Sequence, residues 1–177
     1  RLVSLGHRRI AYLTACDTPD HLCHVAEDIN TGSVRRRIEG FLAVCQEAGL
    51  TGMEDWVQVG AVTPDHTRRI VTAMLKSAQR PTAIIASDSV IGLEVFKVCR
   101  VLGLGIPGDL SLVSFHDADW TSVTTPPVTV VRQPVYGLGE NAARLLVERL
   151  NGGAGEARRI VLHTEVIERA SIADASA

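Results

Sequence analysis

The feature of this sequence that most constrains its fold is an alternation between short apolar runs and segments with helical periodicity. Residues 10–14 form a short apolar run typical of a buried strand, and apolar residues then recur every three or four positions over residues 38–48. Residues 57–59 and 82–86 are the second and third strand candidates. This order predicts an α/β fold with a parallel sheet and helices on both faces.

Capping residues agree with the alternation in the first two thirds of the chain. Pro64 opens a second predicted helix, and Asp88 or Ser89 caps a third one over residues 89–102. A fourth strand is predicted at residues 110–115. The later predicted elements are an irregular loop at 116–127, a strand at 128–132, a helix at 137–150 with Leu138, Ala142, Leu145 and Leu146 facing inward, strand segments at 160–163 and 164–168, and a loose tail at 170–177.

The composition is that of a globular chain that can bury a core. Hydrophobic residues make up 46% of its 177 residues, and 18 basic against 20 acidic residues give a net charge of −2. This balance argues against binding to nucleic acid by the chain itself, because DNA-binding surfaces normally carry an excess of positive charge. Without a visible leader or long apolar run, we expect a cytoplasmic protein with reduced cysteines and no membrane contact.

Motif searches for cofactors and metals mostly fail. Gly103 and Gly105 follow a helix and precede a strand, which is the wrong context for a dinucleotide-binding loop. His21, Cys23 and His24 are of residue types that bind zinc, but their spacing matches no standard site. We therefore predict neither a cofactor nor a metal.

The predicted sheet places its ligand site at one edge. Ligands of open parallel sheets bind beyond the carboxyl ends of the strands. In this chain those ends are residues 14–15, 60–62, 87–88 and 116–117, and polar residues cluster at three of the four places. The order of elements alone therefore predicts a pocket at this edge.

Several side chains near this edge have both a ligand-binding and a structural interpretation. The guanidinium fork of Arg37 suits paired hydroxyls or a carboxylate, unless Arg37 is a surface residue. Asp117 either accepts hydroxyls of a sugar-like ligand or caps a turn. Trp120 either stacks on a ligand or packs in the interior, and Asp88 is better explained as a helix cap.

A catalytic interpretation would rest on Ser87, His116 and Asp117, which all follow predicted strands and have the side chains of a nucleophilic set. The sequence has no G-x-S-x-G elbow and no visible oxyanion hole. We therefore predict that the chain is not an enzyme, and a hydrolase using Ser87 or His116 is the weakest alternative.

Five segments of the chain match a known set of motifs in the same order. They are Leu5-Gly-His-Arg-Arg-Ile-Ala-Tyr-Leu, Arg37-Ile-Glu-Gly-Phe41, Pro81-Thr-Ala-Ile-Ile-Ala-Ser-Asp88, Ile106-Pro-Gly-Asp-Leu-Ser-Leu-Val-Ser-Phe-His-Asp117 and Thr125-Pro-Pro-Val-Thr-Val-Val-Arg-Gln-Pro134. Together they resemble the effector domain of LacI/GalR-family transcription regulators of bacteria, over about residues 3–170.

The resemblance implies a periplasmic-binding-protein-like fold of type I, a three-layer α/β sandwich of two lobes joined by three crossovers. The chain would hold an incomplete version, mainly the C-terminal lobe, at residues 7–124 and 164–170. Residues 128–160 would supply the third crossover and closing elements of the N-terminal lobe, so residues 137–152 would lack most of their packing partners. The helix-turn-helix that reads DNA would be missing.

The resemblance also implies where an effector binds. Arg37 matches the arginine that grips the effector, and Ser33 matches a position that often lines the pocket. Asp117 is retained from the family pattern. Residues 17–32 are longer than usual for the family and would form a rim or lid over the cleft.

Three positions depart from the family pattern. Ser87 replaces an asparagine, His116 an aspartate that usually contacts the effector, and Val62 a common aromatic residue. Trp120 would supply a ring in place of the one lost at Val62. These departures leave the identity of the effector open.

The function implied is that of the ligand-sensing domain of a DNA-binding transcription regulator. A small sugar-like or nucleoside-like effector would favour one orientation of the lobes. A homodimer formed through the helix at 89–102 would relay this change to the missing DNA readers. The alternative is the solute-binding protein of a sugar transporter, which shares the fold.

Overall fold

A six-stranded sheet forms the centre of the computed structural model, which describes residues 1–15, 32–61, 63–152 and 158–175. The strands are β1 (Ile10–Leu13), β2 (Val57–Gln58), β3 (Ala83–Ala86), β4 (Ser111–Phe115), β5 (Thr129–Arg132) and β6 (Glu165–Ile167), and the helices are α1 (Gly32–Glu47), α2 (Pro64–Lys76), α3 (Ser89–Leu102), α4 (Asp119–Val123) and α5 (Val135–Leu150). The strand order is β2-β1-β3-β4-β5-β6, in which neighbouring strands are parallel except for the antiparallel pair β5–β6.

The central strands are buried on both faces. Ala11 and Leu13 of β1 join the core that includes α2 and α3, whereas Tyr12 packs with Ile38 of α1 on the other face. Burial on both faces explains why β1 is a continuous apolar run, because neither set of alternating side chains meets water. The predicted α/β fold with helices on both faces is confirmed.

Helix α3 has the capping that the sequence predicts. The Asp88 carboxylate accepts hydrogen bonds from the backbone N–H groups of Val90 at 2.8 Å and Ile91 at 2.9 Å. Gly103, with φ of 69°, ends the helix in the left-handed conformation that glycine adopts readily. Asp88 lies two residues after the end of β3, so this N-cap is at the predicted pocket edge, whereas Gly103 leads towards the start of β4 at the opposite edge.

Three predictions for the last third of the chain were wrong. The predicted loop at 116–127 contains α4, whose Thr121 is buried and donates a hydrogen bond to Asp117 at 3.0 Å. Residues 160–163 form no strand, because this part of the chain pairs with β5 only along β6. Helix α5 buries none of its residues, and Leu138 and Leu146 are exposed because no described element covers them.

The described residues after β6, which end at residue 175, were also predicted wrongly, because they pack against the sheet and do not form a loose tail. Ser171 is fully buried, and its hydroxyl donates to the Leu112 carbonyl at 2.6 Å and accepts from the Thr129 N–H at 2.7 Å. The Leu112 N–H donates to the Ser171 carbonyl at 2.8 Å. The segment thus satisfies backbone groups at the starts of β4 and β5, which buried strands require.

His7 connects this C-terminal segment to the sheet. The imidazole is 2% exposed, with Nδ1 2.9 Å from the Thr82 hydroxyl and Nε2 3.0 Å from the Ala173 carbonyl and 3.1 Å from the Ser111 hydroxyl. Because a carbonyl oxygen only accepts, Nε2 carries the hydrogen in the neutral ring. Burial lowers the pKa of His7, opposed by the Ala173 contact and by Asp174.

The lowered pKa of His7 predicts a loss of stability in mild acid. As the pH falls, the His7 imidazole takes up a proton in the unfolded chain before it does so in the folded chain. The stabilisation by neutral His7 is therefore complete above the ordinary pKa of 6.5 and declines as the pH falls towards the lowered pKa. One such group changes the free energy of unfolding by at most about 1.4 kcal/mol per pH unit. Urea unfolding at several pH values between neutral and mildly acidic should show this decline. The decline should be smaller in His7→Asn, and in the exposed control His163→Asn it should equal that of the unaltered chain. Equal declines in all three proteins would refute this role of His7.

Candidate functional site at the carboxyl edge of the sheet

The parallel strands bring four polar or small segments to one edge of the sheet. Strands β1 to β5 run in the same direction, so their carboxyl ends lie together. Thr14, Gly60, Ser87 and His116 follow β1, β2, β3 and β4 within two residues. This arrangement is the one expected from the order of elements, and it defines the candidate site.

Arg37 reaches this edge from helix α1. Its Nη1 donates a hydrogen bond to the Ser87 carbonyl at 3.0 Å, and its guanidinium carbon lies 4.7 Å from the centroid of the Phe115 ring. A cation over an aromatic face is attracted by the electron density of the ring. Arg37 therefore holds the carboxyl ends of β3 and β4 together and presents a fixed positive charge at the edge.

Two aromatic residues near Arg37 were missed by the sequence analysis. Phe115 lies under the guanidinium, and Tyr12 stacks on Phe41 with ring centroids 5.5 Å apart. The Tyr12 hydroxyl is buried and has no hydrogen-bond partner among the described residues. Burial raises its pKa to about 12, with Arg37 acting in the opposite direction. Because both residues fall inside apolar strands, their patterns predict only core packing.

Asp117 is bound by protein donors on both carboxylate oxygens. Arg132 donates to Oδ2 from Nε at 3.0 Å and from Nη2 at 2.7 Å, while Oδ1 accepts from Arg169 at 2.6 Å and Thr121 at 3.0 Å. Burial would raise the pKa of Asp117, but these hydrogen bonds lower it to about 2. The carboxylate is therefore ionised near neutral pH, and its acceptor positions are used within the protein.

The other predicted ligand residues have different surroundings. His116 is exposed in a left-handed conformation with φ of 71°, and its backbone N–H donates to the Val131 carbonyl at 3.0 Å. Ser33 is exposed in the first turn of α1, one helical turn before Arg37. Ser87 is 6% exposed. Val62 lies outside the described residues, as do residues 17–31 of the predicted rim.

The surroundings of Trp120 fit packing in the interior, the second of the two roles considered for it. Its ring centroid lies 6.3 Å from that of Phe96 in α3, with an angle of 57° between the ring planes, and the residue packs against the main core. This position is on the face of the sheet opposite to Arg37. A stacking role for Trp120 at the site stays a prediction without a contact to support it.

The geometry does not assemble a catalytic relay from Ser87, His116 and Asp117. Both oxygens of Asp117 accept hydrogen bonds from Thr121 and two arginines, so the carboxylate orients arginines and not an imidazole. Among the described residues there is also no group of three metal-binding side chains. The segment holding His21, Cys23 and His24 lies outside these residues.

Two cavities adjoin the candidate site. One of about 440 Å³ lies between the end of β4, the end of β5 and the start of α5, and is lined by His116, Asp117, Arg132 and residues 133–137. The other, of about 420 Å³, runs along the sheet beside α1 and has Arg37 and Phe115 in its wall among mostly apolar residues. The polar groups that orient a hydrophilic ligand are therefore concentrated in the first cavity and at Arg37.

Comparison with known proteins identifies the family. A family model described as a periplasmic binding protein-like domain matches residues 1–172. A probable opine utilization operon repressor of Rhizobium rhizogenes is 35% identical over 99% of this chain and 86% of the relative. The chain belongs to the LacI/GalR family. The resemblance carried by the five motifs is thus confirmed, together with the periplasmic-binding-protein-like fold.

Other members of the LacI/GalR family match along nearly the whole chain. The transcriptional repressor PurR of Proteus mirabilis is 32% identical over 98% of this chain and 47% of the relative. A solved complex of the transcriptional regulator CelR with cellobiose has a TM-score of 0.81 and 31% identity, covering 97% of this chain and 49% of the other. The chain thus spans about half the length of these two relatives. None of the helices in the described ranges is long and apolar enough to cross a lipid bilayer.

Proposed function

We propose that this chain is the ligand-sensing domain of a LacI-type transcription regulator and that it binds a small, hydroxyl-rich effector such as a sugar or nucleoside. The observation that carries the proposal is the position of Arg37, which joins the ends of β3 and β4 at the same edge of the sheet as the exposed His116. A guanidinium fork and an imidazole are donors that suit hydroxyl and phosphate oxygens. The cellobiose complex of a relative supports this class of ligand.

The domain boundaries form part of the proposal. Residues 7–124 and 164–170 would be the C-terminal lobe, and residues 128–160 would link to and complete the N-terminal lobe. The exposure of α5 supports this division, because an amphipathic helix without buried residues needs a partner from elsewhere. Strand β5 pairs with β4 in this sheet, so the first residues of the proposed link would lie against the C-terminal lobe.

A homodimer formed through α3 would relay the effector signal, and the remaining proposed partner is DNA, bound through a helix-turn-helix outside this chain. Val90 and Val101 of α3 are 57% and 85% exposed, which leaves apolar surface for a second copy. No enzymatic activity is part of the proposal, and the proposed location is the cytoplasm. Sedimentation velocity measures the oligomeric state directly.

Thermal unfolding in the presence of candidate ligands tests the proposed function. A ligand present at about 100 times its dissociation constant stabilises the folded state by about 2.7 kcal/mol, which corresponds to a rise in Tm of roughly 5–10 °C. The panel contains cellobiose, ribose, adenosine, glucose 6-phosphate and inorganic phosphate. We expect at least one carbohydrate or nucleoside to raise the Tm. Absence of any shift across an extended panel of such ligands would count against a sensing role.

A further inference from the structure

Asp117 connects the loop after β4 to two other parts of the chain. Of its donors, Arg132 is the last residue of β5, Arg169 follows β6 by two residues, and Thr121 belongs to α4. The Asp117 and Arg169 side chains are each only 16% exposed. The bonds from Arg169 and Thr121 are partly buried, whereas Arg132 is 48% exposed. Four charge-assisted hydrogen bonds on one carboxylate form a directional junction.

The two arginines lie where the chain leaves the sheet and returns to it. Beyond Arg132, residues 133–134 lead directly into α5, which buries no residue in the described chain. Before Arg169, β6 brings the chain back to pair with β5. Arg169 also donates to the Val128 carbonyl at 2.9 Å, so it holds the start of β5 as well.

His116 adjoins this junction directly. It precedes Asp117 in the chain, and its backbone N–H donates to Val131, the neighbour of Arg132. A ligand that moves His116 therefore acts on the end of β5 through one backbone hydrogen bond and one carboxylate. Coupling of this kind requires a physical connection between the site and the element that moves, and these contacts supply one.

We propose that Asp117 is a positioning residue that couples the His116 loop to the strand ends leading into and out of α5, and that it does not itself bind the effector. This inference rests on the proposed function for its biological role. It assigns to Asp117 a role different from the ligand contact that the sequence predicts. In a sensing domain, the junction would transmit occupancy at His116 to the segment that carries α5.

Amide hydrogen exchange of the 177-residue chain, without any ligand, tests the coupling. The variants are Asp117→Asn, Arg132→Gln and their combination. We expect Arg132→Gln to accelerate exchange of the His116 amide about ten-fold, and Asp117→Asn to do the same for the Leu138 amide, which bonds to Pro134 in the first turn of α5. The double variant should show no further acceleration, because all three changes break one junction.

Two controls separate coupling from loss of stability. Glu165→Gln removes the more exposed partner of Arg132, at 3.4 Å, and should leave both amides unchanged. The Leu112 amide in the core reports global unfolding and should keep its rate in every variant. The coupling is refuted if His116 exchanges in Arg132→Gln as in the unaltered chain, if the two effects add, or if Leu112 accelerates equally. The experiment uses no ligand, so its result does not depend on whether the proposed function is correct.

Discussion

Replacing Arg37 with alanine is expected to raise the dissociation constant of the effector by about 10- to 100-fold, because a lost hydrogen bond to a charged donor typically costs about 1.5–3 kcal/mol. Lysine at this position should recover only part of the affinity, since its ammonium group cannot donate two parallel hydrogen bonds. Isothermal titration with the ligand that stabilises the chain most gives the constants.

Arg36→Ala is the matched control for Arg37→Ala. Arg36 is the preceding residue of α1 and is exposed, whereas Arg37 is half-buried against the sheet. Both substitutions remove one positive charge from the same helix, so a general electrostatic effect would weaken binding equally in both variants. Equal dissociation constants for Arg37→Ala and the unaltered chain would remove Arg37 from the site.

Replacing Gly92 with alanine is expected to lower the free energy of unfolding by about 1–3 kcal/mol, the usual cost of overpacking a core. A Cβ at this position would lie 2.6 Å from Ser114 Oγ and 3.0 Å from Ser114 Cβ. Ser114 is fully buried in β4, and its hydroxyl has one hydrogen to donate between the Asp88 and Phe115 carbonyl oxygens, which lie 3.2 and 3.1 Å away. Helix α3 would therefore have to move away from the sheet.

The same substitution at Gly40 in α1 is expected to have the opposite effect on the free energy of unfolding. Nothing lies within 4 Å of a Cβ placed on Gly40, which is exposed in a helix interior, so alanine should stabilise the chain by about 0.5–1 kcal/mol. Urea unfolding of both variants measures the difference. Gly92→Ala with unaltered or increased stability would show that α3 and β4 are not in close contact at this point.

The sequence predicts the fold well where a residue pattern has a local cause. Burial of β1 on both faces produces a continuous apolar run, and Asp88 caps α3 through the backbone amides next to it. Helix α5 is also amphipathic, but the inward direction inferred for Leu138 was wrong, since periodicity shows an apolar face without showing what covers it. The buried position of Ser171 depends on backbone groups of two distant strands, which no local pattern records.

The position of the candidate site could be predicted from the sequence, but the hydrogen bonds within it could not. The carboxyl edge follows from the order of strands, and Arg37 lies at that edge as the family resemblance implies. The network around Asp117 joins residues 15 and 52 positions apart in the chain. One signal was available for Arg132, because it is the single charged residue of the predicted strand at 128–132 and falls at the carboxyl end. Arg169 carries no comparable signal.

The most direct test of the proposed sensing role is amide NMR of the chain titrated with the carbohydrate or nucleoside that stabilises it most. A ligand site at the strand ends predicts that the largest chemical-shift changes fall at the carboxyl edge of the sheet, at Ser87, Phe115 and His116, with smaller changes at Val135 in the first turn of α5. Changes confined to the opposite edge, at Thr82 and Ser111 around His7, would contradict a ligand site at the strand ends.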